Sequence, residues 1–96
     1  FQTFEWSPQK NLWLMQNRKV CFEQIVAAIN DGRLLDVVEH SNRQKYAGQK
    51  VMIVEIDHYA YLVPFIYQPA RYFLKTIIPS RKATRQYLKD QHHEPS

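Results

Sequence analysis

Basic side chains are concentrated in one stretch near the C-terminus of this 96-residue chain. Residues 71–89 contain six basic residues and no acidic one, namely Arg71, Lys75, Arg81, Lys82, Arg85 and Lys89. Ser80 is a residue type that caps helices, so a helix is predicted to begin at Arg81. Cations in a first helical turn oppose the helix dipole, whereas an anion bound there is stabilised by the free amides. The pattern therefore predicts a phosphate-binding site.

The spacing of these cations also favours a phosphate ligand. Arg81 and Arg85 lie one helical turn apart and can reach the same anion. Residues 1–70 carry seven basic and seven acidic side chains, and residues 71–96 carry six basic and two acidic ones. The whole excess of positive charge thus lies in the last quarter, which indicates an anionic partner such as nucleic acid. The alternative is a solvated surface that only confers solubility.

A second group of reactive side chains lies in a polar loop between two predicted strands. It consists of Glu39, His40, Arg43, Lys45 and Tyr46. A carboxylate or an imidazole can transfer a proton, and a phenol ring can stack on a nucleobase. Loops that a rigid scaffold positions often carry function, although short polar clusters are also common in ordinary loops.

Together, the two groups favour metal-independent cleavage of RNA. RNA carries its own nucleophile, the 2′-hydroxyl, so the protein must only move protons and neutralise the phosphate. No spacing of histidine or cysteine is typical of a metal site, and two glycines leave no glycine-rich phosphate loop, so no cofactor is expected. The predicted catalytic residues are Glu39, His40, Arg43 and Arg81, and the predicted RNA-binding residues are Lys45, Tyr46, Lys75, Lys82 and Arg85.

The remaining chain predicts a single α+β domain over residues 1–90, followed by a polar tail over residues 91–96. The expected elements are a strand over residues 3–6, helices from Pro8 to about Arg18 and over 22–30, strands over 34–38, 50–56, 59–67 and 71–78, and a helix of about ten residues from Arg81. We expect an antiparallel sheet with two N-terminal helices and one C-terminal helix packed on one face. Gly32 is expected to end the second helix as its left-handed cap residue. On the last strand, Arg71, Phe73, Lys75 and Ile77 are expected to form one face that mixes two cations with apolar side chains.

Three local features refine this expectation. Leu12, Trp13, Leu14 and Met15 predict a wide apolar stripe on the first helix, buried against the sheet. Pro64 cannot donate to a strand ladder, so a bulge or a locally free edge is expected there. Thr84, Tyr87 and Leu88 are expected to dock the last helix.

Cys21 is the single cysteine, which excludes an intrachain disulfide and fits a cytoplasmic protein. The longest apolar run is too short to span a membrane.

Four segments, in order, resemble the BrnT family of type II toxins. The opening family pattern F-x-W-D-P-x-K is similar to Phe4-Glu5-Trp6-Ser7-Pro8 and Lys10, and V-S-F-E is similar to Val20-Cys21-Phe22-Glu23. The pattern E-H…E-R-Y is similar to Glu39-His40-Ser41 with Arg43 and Tyr46, and I-S-A-R-x-A-T-R is similar to Ile78-Pro79-Ser80-Arg81-Lys82-Ala83-Thr84-Arg85. The family's K-H-G triplet is replaced by Asn17, Arg18 and Lys19.

This resemblance implies a RelE-like fold and a ribonuclease toxin that cleaves RNA, including ribosome-bound mRNA, and inhibits translation in the cytoplasm. It also implies a cognate antitoxin, typically a ribbon-helix-helix protein that binds DNA, and a homodimer or a hetero-oligomer with that antitoxin. Two alternatives stay open from the residues alone. One is a non-catalytic module that binds nucleic acid with the same basic face, and the other is an interaction protein that uses the aromatic strand over residues 59–67.

Overall fold

Three helices and a six-stranded sheet form the part of the chain that the structure describes. The computed structural model describes residues 3–39 and 49–92, with side chains as far as residue 88. The elements are β1 (Thr3–Glu5), α1 (Pro8–Asn17), α2 (Phe22–Asn30), β2 (Leu34–Glu39), β3 (Gln49–Ile56), β4 (Tyr59–Gln68), β5 (Arg71–Leu74), β6 (Ile78–Pro79) and α3 (Arg81–His92). The predicted α+β fold class is confirmed. The last helix is longer than predicted and includes two residues of the predicted tail.

The sheet has the strand order β1-β5-β4-β3-β2, and β6 pairs with β4. Strands β2 to β5 form antiparallel pairs with their neighbours, as predicted. Strand β1 instead runs parallel to β5, with Thr3 opposite Arg71. The sheet is therefore mixed, and the prediction of a wholly antiparallel sheet is wrong at this edge. A parallel neighbour requires a long crossover connection, which helices α1, α2 and the intervening strands supply here.

The predicted strand over residues 71–78 is interrupted where it passes Pro64. The Pro64 carbonyl accepts a hydrogen bond from the Lys75 amide at 2.8 Å, but proline has no N–H to return the second bond of the pair. The chain leaves the ladder over residues 75–77 and rejoins β4 as β6, with Ile78 opposite Leu62. The irregularity expected at Pro64 is confirmed, and the single continuous strand is wrong.

Helices cover both faces of the sheet. Leu14, Phe22 and Ile25 of the first two helices pack with Met52, Val54 and Val63, which share one face. Ala83 and Leu88 of α3 pack on Ile53 and Ala60, which lie on the opposite face. The prediction that all helices pack on one face is wrong, because successive residues of β3 are apolar and both faces of this central strand must be covered. No helix in the described ranges is long and apolar enough to cross a membrane.

Helix α1 turns a narrow face toward the core. Leu14 is fully buried, whereas Leu12, Trp13 and Met15 are 56%, 42% and 50% exposed. The buried Asn11 side chain takes the other inward position, where its Oδ1 accepts a hydrogen bond from the Phe22 amide at 2.8 Å. The predicted wide apolar stripe is therefore wrong. Because Asn11 and Leu14 take the inward positions of this short helix, its other apolar side chains remain at the surface.

Two residues after helices adopt left-handed backbone conformations. Gly32 follows α2 with a φ of +79°, and the Arg33 amide donates to the Ala28 carbonyl at 2.9 Å, which is the bond of a Schellman motif. This confirms the predicted glycine cap. Lys19 follows α1 with a φ of +60°, a conformation that favours glycine. In the BrnT triplet the residue that corresponds to Lys19 is a glycine.

Substitution of these two residues should change stability in opposite directions. An added Cβ at Gly32 meets no atom within 4 Å, so Gly32→Ala should lower the free energy of unfolding by about 1 kcal/mol through backbone strain alone. Lys19→Gly should raise it by about 0.5–1 kcal/mol, because the strain is removed. Urea unfolding monitored by circular dichroism measures both effects. A destabilised Lys19→Gly variant would contradict the assignment of strain to that residue.

Candidate nucleic-acid interface

Strand β4 fixes the start of helix α3. The Ser80 amide donates to the Ala60 carbonyl at 3.0 Å, and the Ala60 amide donates to Thr84 Oγ1 at 2.9 Å. Ser80 Oγ accepts from the Ala83 amide at 3.0 Å, which confirms the predicted cap. The helix start therefore has a defined position on the face of the sheet opposite to α1 and α2.

The predicted phosphate-binding cations of α3 are exposed at this start. The side chains of Arg81, Lys82 and Arg85 form no ion pair or hydrogen bond with any residue that the structure describes. By contrast, Arg71 pairs with Glu5 at 3.4 Å. The α3 cations therefore keep their hydrogen-bond donors for an external anion, and Arg81 and Arg85 are spaced to share it.

Lys75 lies on the interrupted segment between β5 and β6. Its side chain is exposed, and its Nζ lies 5.8 Å from the centroid of the Phe73 ring. Strict alternation predicts that Ile77 shares this exposed face, but Ile77 is fully buried. The interruption opposite Pro64 breaks the alternation of side chains. Lys75 thus remains available for a phosphate, while the predicted continuous face of cations and apolar residues is wrong.

The structure does not bring Glu39 close to Arg81. Glu39 pairs with Lys50, which in turn pairs with Phe65 of β4. The start of α3 is hydrogen-bonded to Ala60, five residues earlier on β4, which corresponds to about 17 Å along the strand. One phosphate group cannot contact both side chains across this distance.

Glu39 and Arg81 also lie toward different faces of the sheet. Val38 packs in the cluster under α3, and side chains alternate along a strand, so Glu39 points toward the face of α1 and α2. The other predicted residues of this loop, His40, Arg43, Lys45 and Tyr46, lie outside the described residues.

A contact that sequence reasoning missed joins the basic stretch to the turn after α1. Arg18 Nη1 donates to the Ile77 carbonyl at 2.6 Å. Residues 7–22 contain Lys10, Arg18 and Lys19 and no acidic residue, and residues 71–89 are also free of acidic residues. The hydrogen bond therefore connects two stretches that carry only positive charge. The second basic stretch could have been found from the sequence, because residues 7–22 contain no acidic residue.

Trp13 lies beside Arg18 on the side of the sheet that carries α1. Lys10 Nζ lies 4.6 Å and Arg18 Cζ lies 5.1 Å from the centroid of the indole ring, within the range of cation–π contacts. We call Lys10, Trp13, Arg18 and Lys75, together with Arg81, Lys82 and Arg85, the cationic surface. Its α1 and α3 parts lie on opposite faces of the sheet, and the hydrogen bond from Arg18 to the Ile77 carbonyl connects them. The cationic surface combines phosphate-binding side chains with an exposed aromatic ring.

The middle of α3 is attached to β2 by a hydrogen bond between side chains. The Tyr87 hydroxyl donates to Asp36 Oδ2 at 2.7 Å. This bond to a carboxylate, together with partial burial, raises the pKa of the Tyr87 phenol. Because the phenol must stay protonated to donate, the contact stabilises the docked helix at neutral pH.

Removal of this hydroxyl should have a pH-dependent cost. Tyr87→Phe should lower the free energy of unfolding by about 1 kcal/mol near neutral pH. A raised pKa in the folded state gives a contribution that is complete below the unfolded pKa of about 10 and is lost as pH rises through the folded pKa. Urea unfolding of wild type and variant across this range should therefore show the difference shrinking in alkali. If the stability difference between wild type and Tyr87→Phe does not change with pH, the proposed dependence on the protonated phenol is contradicted.

The chain was compared with protein-family models, curated proteins and solved structures, and none of these comparisons found a match. The resemblance to the BrnT family therefore rests on the quoted residues and stays a prediction.

Proposed function

We propose that this chain is a metal-independent endoribonuclease, the toxin of a type II toxin–antitoxin system. The observation that carries the proposal is the group of exposed cations at the start of α3, which no described carboxylate neutralises. Side chains of this kind at a capped helix start suit the phosphates of a nucleic acid. The ordered resemblance to BrnT toxins supports the choice of RNA and of cleavage.

The proposed reaction uses the nucleophile of the substrate. The 2′-oxygen attacks the adjacent phosphorus as a general base removes its proton, and the bond from phosphorus to the 5′-oxygen breaks as that oxygen is protonated. The products are a 2′,3′-cyclic phosphate and a 5′-hydroxyl. Glu39 and His40 are proposed for the proton transfers, and Arg43 is proposed to neutralise the phosphate.

Because Glu39 and Arg81 lie far apart, we propose different roles for them. Arg81 is proposed to bind a phosphate away from the cleaved one, rather than to act on the reacting group. Lys75, Lys82 and Arg85 are proposed to bind phosphates on the cationic surface. Lys45 and Tyr46 are proposed to contact RNA beside the reacting groups, since a phenol can stack on a base and an ammonium group can pair with a phosphate.

The biological setting follows from the resemblance. A toxin of this type acts in the cytoplasm on RNA, including ribosome-bound mRNA. Its partner would be a cognate antitoxin, a ribbon-helix-helix DNA-binding protein that forms a hetero-oligomer with the toxin. Expression of the chain alone should then arrest growth, and co-expression of the antitoxin should restore it.

A non-catalytic module that binds RNA is the second candidate. The separation of Glu39 from Arg81 favours it, because the predicted proton-transfer residue Glu39 does not lie beside the predicted phosphate-binding residue Arg81. On this alternative the cationic surface holds RNA without cleaving it.

Cleavage of RNA in a chelator tests the proposal. Purified protein with excess EDTA should convert single-stranded RNA to fragments with 2′,3′-cyclic phosphates and should leave DNA of the same sequence uncut. Glu39→Gln should lower kcat by at least about 100-fold through loss of proton transfer. Arg81→Ala should mainly raise KM, by about 10-fold, because a charged phosphate contact is lost.

Arg71→Ala is the matched control, since Arg71 is exposed but already paired with Glu5. It should change kcat/KM by less than about twofold. RNA that binds in a salt-dependent manner but stays intact would refute the ribonuclease and favour the binding module. If Arg81→Ala behaves like wild type, the cationic surface does not bind the substrate.

A further inference from the structure

We propose that Trp13 is the stacking site for an unpaired base of a single-stranded RNA, with Lys10 and Arg18 holding the flanking phosphates. The proposal rests on the RNA-binding part of the proposed function and adds a base-binding subsite to it. No residue of α1 is among the residues that the sequence predicts to bind RNA.

The indole of Trp13 is not required by the core. The inward positions of α1 are taken by Asn11 and Leu14, and Trp13 remains 42% exposed. The other tryptophan, Trp6, stacks on the buried Phe22 with ring centroids 5.4 Å apart. The two tryptophans therefore differ in environment, and the Trp13 indole contacts two mobile cationic side chains at the surface, which a base can replace on the ring.

The charges beside Trp13 fit a nucleotide. Lys10 Nζ and Arg18 Cζ lie 4.6 Å and 5.1 Å from the ring centroid, so each is close to any base that stacks there. Every base has a π-face, and stacking on an aromatic ring beside cations is the usual mode by which proteins bind single strands. A duplex hides its base faces and cannot use this subsite.

The position of Arg18 connects this subsite to the helix start that binds phosphate. Its guanidinium contacts the Trp13 ring and also donates to the Ile77 carbonyl at 2.6 Å. Ile77 is four residues before Arg81 in the chain. Helices α1 and α3 lie on opposite faces of the sheet, so an RNA strand that binds at the start of α3 reaches Trp13 and Lys10 by passing the contact of Arg18 with Ile77.

A protein partner is the competing occupant. Leu12 and Met15 are exposed beside Trp13 and would suit an apolar contact. However, a surface with Lys10, Arg18 and Lys19 and no acidic residue over residues 7–22 favours a polyanion. Nucleic acid is therefore the occupant that the charges support.

Fluorescence titration with a ligand that cannot be cleaved tests the subsite. The probe is a single-stranded uridine octamer with 2′-O-methyl sugars, so that binding does not depend on catalysis. It should quench the emission of wild type, whereas the Trp13→Phe variant, in which Trp6 alone emits, should show little change. Trp13→Ala should weaken binding by about 10-fold, and Trp13→Phe should retain most of the affinity. Leu12→Ala, an exposed neighbour without a cation contact, should bind within about twofold of wild type.

An abasic octamer of the same length separates stacking from charge. Wild type should prefer the octamer that bears bases, and Trp13→Ala should bind both equally. Equal binding of the two octamers by wild type, or no effect of Trp13→Ala while Arg81→Ala still weakens binding, would overturn the subsite and leave the proposed RNA binding intact. Absence of any binding by wild type would overturn both. A loss of antitoxin binding in Trp13→Ala, with octamer affinity unchanged, would assign the ring to a protein contact.

Discussion

The absence of one amide hydrogen at Pro64 determines how the basic stretch leaves the sheet. The Pro64 carbonyl still accepts from Lys75, but the reciprocal bond is missing, so the ladder stops after Leu74 and resumes only at Ile78. Over residues 75–77 the side chains no longer alternate strictly between the two faces, so Ile77 is buried. Its carbonyl accepts a hydrogen bond from the Arg18 guanidinium. Helix α3 then begins directly after the short β6. The positions of Lys75 and of the start of α3 thus depend on a residue that lies on the neighbouring strand.

Much of the fold was predictable because it depends on local chemistry. Ser80 and Gly32 specify a helix start and a helix end through hydrogen bonds within a few residues, and both were placed correctly. The parallel pairing of Thr3 with Arg71 was not predictable, because it joins segments far apart in the chain. The distribution of helices over two faces was missed for a related reason. The apolar run in β3 shows that both faces are buried, but not which helix covers each face.

The candidate site follows the same division. The cations of α3 were found from composition and capping, which are local features. The separation of Glu39 from Arg81 was missed, because it is set by the register of β2, β3 and β4 rather than by either residue's neighbours. The contact of Arg18 was missed because its acceptor is a backbone carbonyl 59 residues away, and a carbonyl has no signature in the sequence. The environment of Trp13 was likewise hidden, since apolar spacing alone predicted a buried ring.

The parallel pairing of β1 with β5 has a consequence for the order in which the protein folds during synthesis. Thr3 can find its partner only after Arg71 has been translated, so the first strand made is among the last to pair. Helices α1 and α2 and the hairpin of β3 and β4 have their local contacts available much earlier. The hydrogen bond from Arg18 to Ile77 likewise forms only after Ile77 has been translated. A nascent chain therefore carries separated basic segments, and the contact that connects them forms only in the late steps of folding.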